Sequence, residues 1–227
     1  MRSLIGTGLL LIATGCGPKT SGGTYALPTA TGDGNAAASL KGEGDALWAN
    51  RGDKAQLQAA LAKYEQAYFA DPTDREVVVQ LTRGWYFLGD AHETEKATKL
   101  QTWDTAVVWG KRCMALNSDF TAVLEKGDED EASAVRKATK DDVPCMYWMA
   151  TSLGKWAKLN GIAKSLKHLP TVKAFVGAVT EMDPGYFYAA GDRYWGAYYA
   201  IVPSFAGQDL DKSKVHFDKS IAAAPNY

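Results

Sequence analysis

The stretch "YEQAYFADPTD", from Tyr64 to Asp74, sets tyrosines and alanines at helical spacing and then runs into Asp-Pro. Proline cannot continue a helix and drives the residue before it out of the α region, so the stretch reads as the end of a helix in a helix-turn-helix unit. Three relatives follow it: "VVWGKRCMALNSDF" ending at Phe120, "AFVGAVTEMDPGYF" ending at Phe187, and "HFDKSIAAAPNY" ending at Tyr227. Each is an aromatic-and-alanine helix stopped by a polar or proline-containing turn. The chain reads as a repeat protein.

Upstream of the last three ends lies a second signature, a small residue after a bulky apolar one: "WYFLGDAH", "ATSLGKWA" and "DRYWGAYY". This is the first-helix pattern of a tetratricopeptide-like unit, in which glycine lets the two helices of a pair approach closely. The register holds. Ala106, Val172 and Ser213, where the second helix of each pair should open, follow Gly89, Gly154 and Gly196 by 17, 18 and 17 residues. Gly154 and Gly196 are 42 residues apart and Gly89 and Gly154 are 65, which becomes 43 once the charged stretch 121–142, 22 residues long, is set aside as an insertion. The expected fold is all-α, an α-solenoid of four tetratricopeptide-like helix pairs over residues 41–227. The first pair fits least well, because its helix A around "GDALWANRGD" reads as short.

With 46% hydrophobic and 22% charged residues among 227, the chain can bury a sizeable core, and solenoids do so by stacking units. A net charge of −1 gives no electrostatic case for nucleic acid or an anionic membrane surface. The start, "MRSLIGTGLLLIATGCGPK", has an early arginine, a short apolar core and small residues before Cys16. That is the pattern of a bacterial lipoprotein signal peptide over residues 1–15, with Cys16 as the acylated residue. Gly17 is not the aspartate that retains lipoproteins at the inner membrane of enteric bacteria, so the expected location is the periplasmic face of the envelope, lipid-anchored at the outer membrane. Residues 16–40 are Gly, Ser, Thr and Ala with few large side chains, and read as a flexible tether.

Chemistry-bearing motifs are missing. His92, His168 and His216 are scattered, without a cysteine or carboxylate at metal-ligand spacing, and neither GxSxG, HExxH nor a Walker loop occurs. The acidic run "EKGDEDE" lacks the alternating ligands of an EF-hand loop and reads as a solvated insertion. The reading is a protein without enzyme activity, metal or cofactor.

Most of the aromatic residues are expected in the core, but counting along helix A from the three glycines places some on the inner surface of the solenoid. Arg83, Tyr86 and Asp90 fall there in one unit, Trp148, Thr151 and Lys155 in the next, and Arg193 and Ala197 in the last. These eight form the expected groove for a partner or ligand. Arg193 is costly to bury alone. It is expected to pair with Asp90, to await an anionic group, or to bond helix-end carbonyls of a neighbour. With Cys16 acylated, Cys113 and Cys145 remain, on helices that should adjoin. They are a candidate disulfide, since bridging needs Cα atoms within about 7 Å, which spacing alone does not show.

Two segments, "VPCMYWMATSLGKW" and "DPGYFYAAGDRYWGAYYAIVPSFAGQDLDKSKVHFDKSIAAAPNY", give the chain from about Leu40 to Tyr227 a resemblance to TatT, the T component associated with TRAP transporters. Where that family favours Gly-Gly-Pro-x-Arg, a later proline and a Gly-Gly-Asp-Leu turn, this chain keeps Arg193, Pro203 and the turn at Gly207–Leu210, but lacks one glycine and the proline beside the arginine. The resemblance implies a periplasmic, tetratricopeptide-like lipoprotein that forms a homotrimer, associates with a TRAP-type periplasmic substrate-binding protein, and serves a hydrophobic or amphipathic ligand. It also leads one to expect a further helix over the outer face of the last pair. Two functions stay open: an accessory subunit of a TRAP-type importer that docks the substrate-binding component, or a scaffold lipoprotein for envelope assembly or peptide binding.

Overall fold

The computed structural model describes residues 25–127 and 129–227. The signal sequence and Cys16 lie outside the described residues. Those described form ten α-helices and no strand. Four pairs carry the architecture: α1 (Gly34–Trp48) with α2 (Lys54–Ala70), α3 (Arg75–Phe87) with α4 (Lys96–Met114), α7 (Val143–Asn160) with α8 (Ile162–Met182), and α9 (Tyr186–Ile201) with α10 (Leu210–Ala223). Between the second and third pairs lie α5 (Ser118–Glu125), α6 (Glu131–Ala134) and two short 3₁₀ turns. Pairs stack through α2 on α3, α4 on α7 and α8 on α9, and the first helices α3 and α7 touch directly.

The stretch at Tyr64–Asp74 does what its residues dictate. Tyr64 and Ala67 are fully buried, and α2 ends at Ala70 with Asp71 extended before Pro72. The Asp71 carboxylate accepts from the Thr73 N–H at 2.9 Å and the Thr73 hydroxyl at 2.6 Å, which closes the turn. Asp74 then caps α3 by accepting from the Val77 N–H. The same cap chemistry starts α1 at Asp33, α2 at Asp53 and α10 at Asp209.

Close approach explains the small residues. A Cβ on Gly196 would lie 2.8 Å from the Phe217 ring, and the Ser213 hydroxyl, at the expected opening of its partner helix, donates to the Gly196 carbonyl at 2.8 Å.

Two expectations are corrected. The tether assigned to residues 16–40 does not extend through residues 25–40. Tyr25 packs on Phe120 and donates to Glu131 at 2.7 Å, Thr31 bonds the Phe69 carbonyl through its N–H and its hydroxyl, and α1 begins at Gly34 with Ala37 buried. The first helix A is therefore 15 residues long rather than short. Three alanines in a row and a capping aspartate outweigh the low apolar content that made the stretch look unstructured. Within the charged insertion 121–142 the acidic run is exposed or half-buried where described, while residues outside that run turn inward. Val123, Ala134 and Asp142 are buried, and Asp142 is fully enclosed.

Cys113 of α4 and Cys145 of α7 form a disulfide with Cα atoms 5.5 Å apart, both residues fully buried. The bridge joins the second pair to the third at the mouth of the insertion.

Candidate functional site

The first helices α3, α7 and α9 bring most of the expected groove residues together, and α1 adds a wall that the sequence count leaves out. The Arg83 guanidinium lies over three rings, with its carbon 5.1 Å from the Trp48 centroid, 5.4 Å from Trp148 and 5.0 Å from Phe187. Tyr86 packs on Trp148 at 5.4 Å. Lys155 sits over the rings of Tyr86 and Trp103 and pairs with Asp90, which stands on the π-helical turn Leu88–His92 that ends the α3 segment. A π turn slips the helix by one residue, and such turns recur where a side chain must be re-aimed at a site.

The floor is aromatic. Trp148 is buried and donates its indole N–H to the Tyr186 hydroxyl at 2.9 Å; Tyr147 packs on Trp148, Tyr186 and Phe187. Burial pushes the Tyr186 phenol up to about 12, and raises those of Tyr147 and Tyr86 as well, with Asp90 adding to the rise at Tyr86. These hydroxyls stay neutral at physiological pH, so they offer hydrogen bonds and apolar area rather than charge. Burial also lowers the Arg83 guanidinium from its ordinary value, and an arginine keeps its charge in proteins.

Three expected members take other roles. Thr151 turns its hydroxyl back onto the Tyr147 and Trp148 carbonyls and is buried in its own helix. Ala197 is exposed on α9. Arg193 does not pair with Asp90, whose partner is Lys155. It donates instead to the carbonyls of Phe187 and Tyr188 and lies 4.3 Å over the Tyr227 ring.

Those carbonyls are available because Phe187, Tyr188 and Ala189 adopt positive φ of 43°, 61° and 55°. Left-handed backbone costs an L-residue roughly 1–2 kcal/mol, so three in succession need compensation. Arg193 supplies part of it by bonding the carbonyls of two of these residues. The turn in exchange swings Phe187 under Arg83 and exposes Tyr188, on which Tyr227 stacks at 4.4 Å with ring planes 16° apart. Strain of this kind gathers at functional sites.

Sequence reasoning missed Trp48, Tyr186, Phe187 and Tyr227. The run Tyr186–Tyr188 was legible as aromatic, but aromatic residues argue against positive φ, so nothing in the string announces the turn. Among the described residues no cluster of His, Cys, Asp and Glu could hold a metal ion, and no helix is long and apolar enough to cross a membrane.

A family model described as TRAP transporter T-component matches residues 54–226, from the second helix to one residue short of Tyr227. No curated protein matches the chain. The chain belongs to the TRAP transporter T-component family.

Proposed function

We propose that this T-component is a periplasmic lipoprotein accessory subunit that docks the substrate-binding component of its TRAP-type importer through the cleft of Arg83, Tyr86, Asp90, Trp148 and Lys155, and that it acts by binding rather than catalysis. The observation that carries this reading is a half-buried arginine layered on tryptophan and phenylalanine, with tyrosines around it. Arg, Trp and Tyr in a partly desolvated cleft are the residues that dominate binding energy at protein interfaces. The Lys155–Asp90 pair is more than a third exposed on both sides, so it contributes under about 1 kcal/mol to the fold and is free to exchange partners on docking.

Mixing the purified chain with the substrate-binding component of a TRAP-type importer tests this. Lys155→Glu places like charges together at the rim without touching the core. It is expected to weaken binding tenfold or more, about 1.4 kcal/mol, with the melting temperature within a few degrees of the parent. Equal binding by parent and variant would move the interface elsewhere. Binding of extended peptides by the cleft, with none to the substrate-binding component, would favour the scaffold reading.

Membrane attachment in this proposal rests on Cys16 and its preceding small residues. Cys16→Ala is expected to shift the protein from the membrane pellet to the soluble fraction of cells, since an acyl chain would be its anchor. Retention in the pellet after a salt wash would refute lipidation at Cys16 as the means of attachment.

A further inference from the structure

Beside Arg83 the cleft opens into a cavity of about 300 Å³ between α1, α3 and the start of α7. Three cations line it, and two are satisfied. Lys41 pairs with Glu76 at 3.0 Å and Asp45 at 3.3 Å, and Arg75 with Asp142 at 2.7 Å. Arg83, the third, has neither an ion-pair nor a hydrogen-bond acceptor among the described residues. Arg51 lies over the same Trp48 ring at 5.1 Å, so a second cation adds to the positive field.

Ring faces offset part of the cost of desolvating a guanidinium, by roughly 0.5–2 kcal/mol, but they leave its five N–H donors unused. A planar fork held in place by rings, with its donors free, is preset for two parallel bonds to a carboxylate.

We propose that this cavity receives an aspartate or glutamate side chain from the docked polypeptide, its carboxylate on the Arg83 guanidinium. A carboxylate carried by a docked polypeptide is favoured over a free anion because Arg83 stands in the docking cleft itself, over Trp148 and Phe187. The cavity is open to solvent and small for an independent ligand site, which again suits a side chain held from outside. This inference rests on the docking reading of the cleft, and sharpens it to one residue and one chemistry.

The test uses the full chain and the TRAP-type substrate-binding component, titrated at several salt concentrations, with Arg83→Gln and Arg83→Lys variants whose melting is checked in parallel. Arg83→Gln is expected to weaken binding tenfold or more and to flatten its salt dependence. Arg83→Lys, which keeps a charge over the rings and guards against loss of the fold, should recover the salt dependence but only part of the affinity. If Lys155→Glu weakens binding while Arg83→Gln and Arg83→Lys bind like the parent, the docking reading stands and this inference falls. If the parent does not bind at all, both fall. N-acetylglutamate gives the remaining arm, read through the fluorescence of Trp48 and Trp148. Micromolar binding of that free acid, with docking indifferent to Arg83, would make the cavity a small-molecule site and overturn the assignment to a docked side chain.

Discussion

The double variant Cys113→Ala/Cys145→Ala is expected to melt roughly 7–15 °C below the parent protein. The bridge spans 32 residues of sequence, and the chain-entropy treatment puts a loop of that size at about 3–4 kcal/mol. For a chain of this length each kcal/mol moves the melting temperature by about 2–4 °C. Its position makes the effect larger than its loop alone implies. The bridge ties α4 to α7, the junction where the insertion breaks the regular stacking of pairs, and a solenoid is only as cooperative as its nearest-neighbour contacts. Alanine suits the test because the sulfurs are fully buried and a lone thiol would complicate the reading. A drop below about 3 °C, or alkylation of both thiols in the folded, unreduced protein, would contradict it.

The repeat was legible because its signals are local. A proline after aspartate ends α2, aspartates cap α2, α3 and α10, and glycines appear where a partner side chain crosses closely, as at Gly196 under Phe217. The number of pairs followed from the spacing of those glycines, but α4 opens at Lys96 and α8 at Ile162, ahead of Ala106 and Val172 where the spacing set them. The cleft was legible only in part. Helical counting found Arg83, Tyr86, Asp90, Trp148 and Lys155, which share a face by periodicity. It also selected Thr151 and Ala197, because counting gives direction but not what a short side chain does on arrival. Trp48 was out of reach, since its place over Arg83 depends on how the first pair stacks on the second. Of the three partners left open for Arg193, carbonyls are the ones it takes, but they belong to the start of its own helix, in a run of three non-glycine residues with positive φ that no propensity rule anticipates. In the insertion, one carboxylate outside the acidic run is entirely buried, and nothing in the string marks it.

That carboxylate, Asp142, is the second position where a large loss is expected. Four donors converge on it from three directions. Arg75 reaches Oδ1 at 2.7 Å from α3, while Oδ2 accepts from Asn117 Nδ2 at 2.6 Å and from the Thr139 backbone N–H and hydroxyl at 2.8 and 3.0 Å. Asn117 in turn caps α5 by accepting from the Phe120 N–H and donates to the Lys137 carbonyl. One buried acceptor thus holds the second pair, both ends of the insertion and the start of α7. Removing one partner of a buried ion pair costs about 3–5 kcal/mol; Arg75, 31% exposed, regains some water, but Asn117 and Thr139 lose their acceptor as well, and Asp142→Ala is expected near the low end of that range by denaturant unfolding. Asp142→Asn is the sharper variant. It preserves shape, yet an amide has a single accepting oxygen, so its NH₂ must face either Arg75 or the three donors at Oδ2, and the expected loss is nearly that of alanine. A loss under about 1 kcal/mol for the asparagine variant would show that shape, not acceptor chemistry, matters there. Arg75 also lies 3.7 Å from the Cys145 sulfur, so the ion pair and the disulfide share a neighbour. Combining Asp142→Asn with the double cysteine variant should therefore depart from additivity by at least about 0.5 kcal/mol, which would mark the two as one structural knot closing the insertion onto the solenoid.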